Sequence, residues 1–312
     1  MTDPYVRPDV AAFLQFLNAQ PPTDWAGTPI DQVRQLPIAM RHVADAETGE
    51  LARMDDLTIT GPAGDIPARL YDAREHREPG PIMVYFHGGG FCIGNLETHD
   101  PWCAAVARQL DMPVIAIDYR LAPEHPYPAA PEDAEAATRW IASHMDCTGL
   151  VLSGDSAGGN LTVVVSLALA RHPAAKPVIA QWPVYPAVAG GNSDWDSYRQ
   201  FSEGHLLTNA AMDWFMSSYA GRQEWQFAPL DEDLSAMPPA VVQTASLDPL
   251  RDQGRAYAAK LIGSGVRCTY IEAAGTIHGF VSLRKAIPST DRDLADGCNA
   301  LRGLLAELAP PA

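Results

Sequence analysis

The chain has 312 residues, 47% of them hydrophobic and 19% charged, which suits one large or two small globular domains with a sizeable core. Its formal net charge of −16 tells against nucleic acid and anionic membrane surfaces as partners, because both demand basic patches. The cysteines Cys92, Cys103, Cys147, Cys268 and Cys298 are scattered, form no Cys-x-x-Cys pair and read as buried thiols of a reducing compartment.

Residues Met1 to Pro8 lack the charged and apolar regions of a signal peptide. The longest apolar run, near Leu161 to Ala170, is too short to span a bilayer. A soluble cytoplasmic protein without stable membrane association is therefore expected. Val10 to Leu17 and Ile30 to Leu36 show helical spacing on either side of Pro21-Pro22. Leu57 to Thr60 and Ile66 to Tyr71 flank Gly61-Pro62-Ala63-Gly64-Asp65 and predict a hairpin.

From residue 81 the pattern alternates. Strands are predicted at 81–86, 113–118, 149–154, 177–182, 239–245 and 266–272. Helices fall near 100–110, 129–144, 157–171, 250–263 and 290–308. Such alternation implies right-handed crossovers and a mostly parallel α/β sheet, with ligands gathered at the carboxyl ends of the strands. Residues 187–237 interrupt it with a polar loop from Gly190 to Gln200 and a helix from Thr208 to Tyr219. An insertion of this size predicts a lid or an active-site wall.

Within this frame Gly154-Asp155-Ser156-Ala157-Gly158 follows an apolar strand and opens an apolar helix. A serine on such a turn presents its hydroxyl away from the sheet, beside the free N–H groups of a helix N-terminus. A serine hydroxyl is a poor nucleophile unless a base touches it and an acid orients the base. Beyond Ser156, His172 ends the helix it opens, leaving His205 and His278, and of these His278 alone follows the last strands. It stands in Gly275-Thr276-Ile277-His278-Gly279-Phe280, where a base should hang. Asp248 ends the strand that starts near Val241. Asp252 is its local rival, better suited to a first helical turn, and Asp194, Asp196 and Asp213 fall in the insertion. The oxyanion formed by attack needs preplaced N–H donors. Ala157 supplies one, and His87-Gly88-Gly89-Gly90-Phe91, after the strand Ile82 to Phe86, exposes further amides.

Together these segments resemble the hormone-sensitive-lipase-like (family IV) esterases of bacteria, within the α/β-hydrolase fold. The resemblance extends to Glu97-Thr98-His99-Asp100, to Asp118-Tyr119-Arg120-Leu121-Ala122-Pro123-Glu124-His125-Pro126-Tyr127-Pro128, and to Asp248-Pro249-Leu250-Arg251-Asp252-Gln253-Gly254. It covers residues 81 to 280 in order. Asp155, before the serine, marks the GDSAG subgroup. The resemblance implies a triad of Ser156, Asp248 and His278. It implies oxyanion donors at Gly89, Gly90 and Ala157, with Gly88 supporting the turn.

It also implies a helical cap from residues 1–50 and 187–237 over a core of 51–186 and 238–312. Phe91, His205, Leu206, Leu207, Trp214, Phe215 and Phe280 are then expected at a substrate pocket. The expected activity is hydrolysis of short- to medium-chain acyl esters through an acyl-enzyme, with no metal or organic cofactor. Amide, formamide or lactone hydrolysis on the same triad, or a non-catalytic ligand receptor on this fold, are the alternatives. A homodimer through the last strand and helix is the one partner beyond a small-molecule ester that the resemblance brings in.

Overall fold

The computed structural model describes residues 4–190, 194–219 and 226–308. Two helices come first, α1 (Pro8–Asn18) and α2 (Ile30–Ala44). The hairpin follows: β1 (Arg53–Gly61) pairs antiparallel with β2 (Gly64–Asp72), with Ile59 opposite Ile66. Then come β3 (Gly80–Phe86), α3 (Leu96–Leu110), β4 (Val114–Ile117), α4 (Ala129–His144), β5 (Cys147–Asp155), α5 (Ala157–Arg171) and β6 (Val178–Val184). The insertion contributes α6 (Asp196–Phe201) and α7 (Asn209–Tyr219). The chain closes with β7 (Ala240–Leu247), α8 (Arg251–Gly263), β8 (Cys268–Ile277) and α9 (Thr290–Leu308).

The strands form one sheet in the order β1-β2-β4-β3-β5-β6-β7-β8. β2 pairs antiparallel with both neighbours, and the pairs from β4 to β8 are parallel. Inner strands covered on both faces need continuous apolar runs, and Ile82 to Phe86 of β3 is buried throughout. On one face α3 and α9 bring Trp102, Val106, Leu294 and Leu301 onto Met83, Val151 and Trp182. On the other, α4 and α5 bring Ala134, Ile141, Leu161 and Val165 onto Val84, Leu150 and Leu152. Tyr257 and Leu261 of α8 extend that layer beside Val163 and Leu167. Val10, Phe13 and Leu14 of α1 pack with Leu247 and Ile277, at the carboxyl ends of β7 and β8.

The architecture is the predicted α/β-hydrolase fold, and element boundaries differ where a local signal was weak. α3 starts at Leu96 rather than near 100, because Asn95 accepts from the Thr98 N–H at 2.9 Å and Thr98 Oγ1 accepts from the Asn95 N–H at 3.0 Å, a capping box. α2 continues past Leu36 through Pro37, a residue that forfeits one helical bond. The expected loop at 190–200 includes the start of α6, while residues 191–193 of it lie outside the described residues, as do 220–225 of the insertion and 1–3 of the opening segment. β8 reaches Ile277 instead of stopping at 272. Gly275 adopts φ +76°, which a glycine tolerates, and the register with β7 shifts between Ala245 and Leu247. The strand therefore delivers His278 at its very end.

Candidate active site

Ser156 joins β5 to α5 at φ +55°, ψ −114°, a conformation that costs a non-glycine residue about 1–3 kcal/mol. The surrounding sheet holds it there, since the Ser156 N–H donates to the Val184 carbonyl at 2.9 Å. The turn aims Oγ at His278, whose Nε2 lies 2.9 Å away. On the far side of the ring, Nδ1 lies 2.8 Å from Oδ2 of Asp248. The other Asp248 oxygen accepts from the Leu250 N–H at 2.7 Å, and the carboxyl is fully buried. The Tyr185 ring packs against the imidazole with centroids 4.5 Å apart. Asp252 is engaged elsewhere, with Arg251, Arg255 and the Ser197 N–H.

Opposite Ser156, the loop after β3 is locked from behind. Asp155 Oδ1 accepts from the Gly88 N–H and from the Tyr85 hydroxyl, each at 2.8 Å, and lies 3.2 Å from His99 Nε2. A Cβ at position 88 would collide with the Asp155 carboxylate, so glycine is required by this approach. Gly89, at φ +116°, turns the chain where other residues are strained. The Tyr119 hydroxyl donates to the His87 carbonyl at 2.6 Å, and the two rings stack at 4.3 Å. The Gly88 N–H is thus committed, whereas those of Gly89, Gly90 and Ala157 donate to no other described residue.

Electrostatics follow from this burial. Desolvation favours the neutral form of Asp155, yet the charge and hydrogen bond of His99 and the Tyr85 hydroxyl outweigh it and hold the carboxyl below its ordinary value. Desolvation likewise works against a charged His99, and the facing Asp155 overcomes it and raises the imidazole. His87 faces a carboxylate, that of Asp118, only at 3.8 Å. Burial, followed by repulsion from His99, pushes it down to about 3, so it is neutral and its Nδ1–H donates to the Gly88 carbonyl at 2.7 Å. Among the described residues no group of three or more His, Cys, Asp and Glu side chains is arranged to hold a metal ion.

Ser156 and His278 open into a cavity of about 350 Å³, a size suited to a small ligand. Of the expected pocket residues, Phe91, Leu206, Leu207 and Phe215 line it. Three others do not. Phe280 sits in a single 3₁₀ turn at 280–282 and faces inward, fully buried between Trp102 and Tyr185. Trp214 turns away to pack on Trp25 and Phe215. His205 caps the Phe201 ring edge-on and bonds the Glu203 carbonyl at 2.7 Å. Lining residues that no motif signalled include Trp25, Met40 and Arg41 from the opening segment and Met212 from α7. The first three fall outside the two helical runs read at 10–17 and 30–36, and only the cap expected from residues 1–50 hinted at them.

Known proteins resemble this chain over most of its length. Residues 83–282 match the α/β hydrolase fold family. The carboxylic ester hydrolase LipN of Mycobacterium tuberculosis is 40% identical over 265 residues, covering 78% of this chain and 69% of that protein. The carboxylesterase NlhH of the same organism is 33% identical, covering 98% and 99%. Among solved structures, an ester hydrolase from the metagenome of Lake Arreo superposes with a TM-score of 0.90 at 35% identity, covering 96% of this chain and 99% of that one. An esterase of Pyrobaculum calidifontis superposes with a TM-score of 0.86 at 34% identity, over 96% and 99%. The family match over the catalytic core and these near full-length likenesses place the chain: it belongs to the α/β-hydrolase fold family, in its hormone-sensitive-lipase-like branch of esterases.

Proposed function

We propose that this protein is a serine carboxylesterase acting on short- to medium-chain acyl esters through an acyl-enzyme. The observation that carries the reading is the continuous contact from Ser156 Oγ through His278 to Asp248, at 2.9 and 2.8 Å. His278 Nε2 takes the Ser156 proton as Oγ attacks the ester carbonyl carbon. Asp248 accepts from Nδ1–H, fixing the tautomer and stabilising the imidazolium. The carbonyl oxygen, now an oxyanion, is held by the N–H groups of Gly89, Gly90 and Ala157, which have no other acceptor among the described residues. Collapse expels the alkoxide, and His278 protonates it. Water, deprotonated by His278, then attacks the acyl carbon, and Ser156 leaves with its proton restored.

Gly88 is a positioning residue in this scheme, its own N–H spent on Asp155. The Asp-Ser sequence at 155–156 supports placement in the GDSAG subgroup. Residues 1–50 and 187–237 serve as the cap, an assignment supported by Trp25 meeting Trp214 and Phe215 at 5.5 Å between ring centroids. Among the described residues no helix is long and apolar enough to cross a membrane, and the five cysteines are free. The free thiols support a cytoplasmic setting.

Hydrolysis of p-nitrophenyl esters from acetate to octanoate tests the reading. Ser156→Ala is expected to lose at least about 10³-fold in kcat while melting like the wild type. Full activity in that folded variant would overturn it.

A further inference from the structure

One arginine in the cavity wall has no part in the chemistry above. Arg41, on α2, lines the cavity beside Met40, Thr98 and His99. We propose that Arg41 selects the substrate, and that the ester it favours carries a second oxygen acceptor, a carbonyl or a carboxylate, remote from the scissile bond. This deepens the esterase reading and rests on it.

The cavity's walls differ in chemistry. α7 contributes Ala211, Met212, Phe215 and Met216, together with the exposed Asp213. Apolar chains suit that side. The side built by α2 and the first turn of α3 carries the guanidinium. A guanidinium has five N–H donors and no acceptor. Here one Nη2 bond reaches Thr48 Oγ1 at 3.0 Å, and Nη1, which is not buried, donates to none of the described residues.

Neighbouring acids are better served by other cations. Asp100 meets Arg41 only at 4.0 Å, while it binds Arg69 at 3.0 Å and accepts from the Tyr71 hydroxyl at 2.6 Å. Asp155 faces His99 at 3.2 Å and Asp45 faces Arg284 at 3.3 Å. Once a bound ester displaces water from the cavity, a donor left without an acceptor is unfavourable. An oxygen on the substrate would supply the acceptor, and a purely aliphatic chain would not. Sites with committed polar donors discriminate against ligands that cannot satisfy them.

The test compares kcat/KM across matched esters of four to eight carbons by pH-stat titration. One series has the oxygen on the acyl chain: methyl alkanoates, methyl keto-alkanoates and monomethyl dicarboxylates. The other has it on the alcohol: acetates of alkanols, keto-alcohols and hydroxy acids. At one or more chain lengths an oxygen-bearing ester is expected to exceed its aliphatic match by about tenfold. That ratio should fall about tenfold in Arg41→Met, chiefly through KM, and less in Arg41→Lys. The keto and carboxylate arms separate hydrogen bonding from charge. If Arg41→Met fails to fold, as judged by thermal melting, Arg41→Gln is read in its place. A preference for the aliphatic ester at every length, or an unchanged ratio in the variant, would overturn the inference. Failure of all the esters, aliphatic ones included, would instead overturn the esterase reading beneath it.

Discussion

His99 and Asp155 meet at 3.2 Å in full burial, directly behind the amide of Gly88. Two opposite charges withdrawn from water are stable only as a pair, and removing one partner costs about 3–5 kcal/mol. The imidazole of His99 is raised above its ordinary 6.5 by Asp155, despite the opposing effect of burial. A raised folded value means the folded state holds the proton more tightly. The stabilisation is fully present below about pH 6.5 and is lost as pH rises through the folded value. The gap in unfolding free energy between wild type and His99→Gln should therefore be largest near about pH 6 and narrow by about pH 9, read by urea denaturation. An equal gap at both would show that His99 contributes packing alone. The Asp155 carboxylate also explains why Gly88 differs from its neighbours: three consecutive glycines read alike in sequence, and among the described residues only Gly88 has its N–H consumed.

At the scale of elements, the cavity depends on contacts between segments far apart in the chain. Trp25, in the connection between α1 and α2, packs on Trp214 and Phe215 of α7, and it lines the cavity. Truncating it removes apolar surface from the side where an acyl or alkyl chain would lie. Trp25→Ala is expected to raise KM for p-nitrophenyl octanoate by about five- to tenfold, with a smaller change for the acetate. Equal effects on both esters would argue that Trp25 acts on the fold of the cap rather than on chain binding. α3 shows the same dependence in another form. Its capping box at Asn95 and Thr98 fixes where the helix begins, and that sets His99 in the first turn, facing Asp155.

For the whole molecule, stability and chemistry reside in different layers. The face covered by α3 and α9 is a largely apolar core, with Trp102, Trp182, Leu294 and Leu301 nearly or fully buried. The cavity opens at the carboxyl ends of the strands, where β5, β7 and β8 deliver Ser156, Asp248 and His278. Leu301→Ala should lower stability by about 2–5 kcal/mol through the cavity it leaves, seen as a reduced urea midpoint. kcat/KM for p-nitrophenyl acetate below the transition should stay at the wild-type value. A parallel loss of activity would mean that α9 packing reaches the site.

The strand-to-helix alternation, the serine turn, the glycine loop and the chain order of Ser156, Asp248 and His278 were all legible in the sequence. The first three are local signals, written by apolar runs and turn residues within about ten positions, and the order was read from the arrangement of the family that the chain resembles. Only the tertiary structure decided the rest. Ser156 and His278 are 122 residues apart in sequence, and their contact depends on β8 running past Gly275. Trp214 and Phe280 carry the aromatic character expected of a pocket, yet packing turned them elsewhere, whereas Arg41 and Met40 entered the wall from a helix with no motif. Which N–H is spent, which histidine holds its proton more tightly and which side chain meets the cavity all follow from neighbours brought together across the sheet. Periodicity along the chain carries no record of those neighbours.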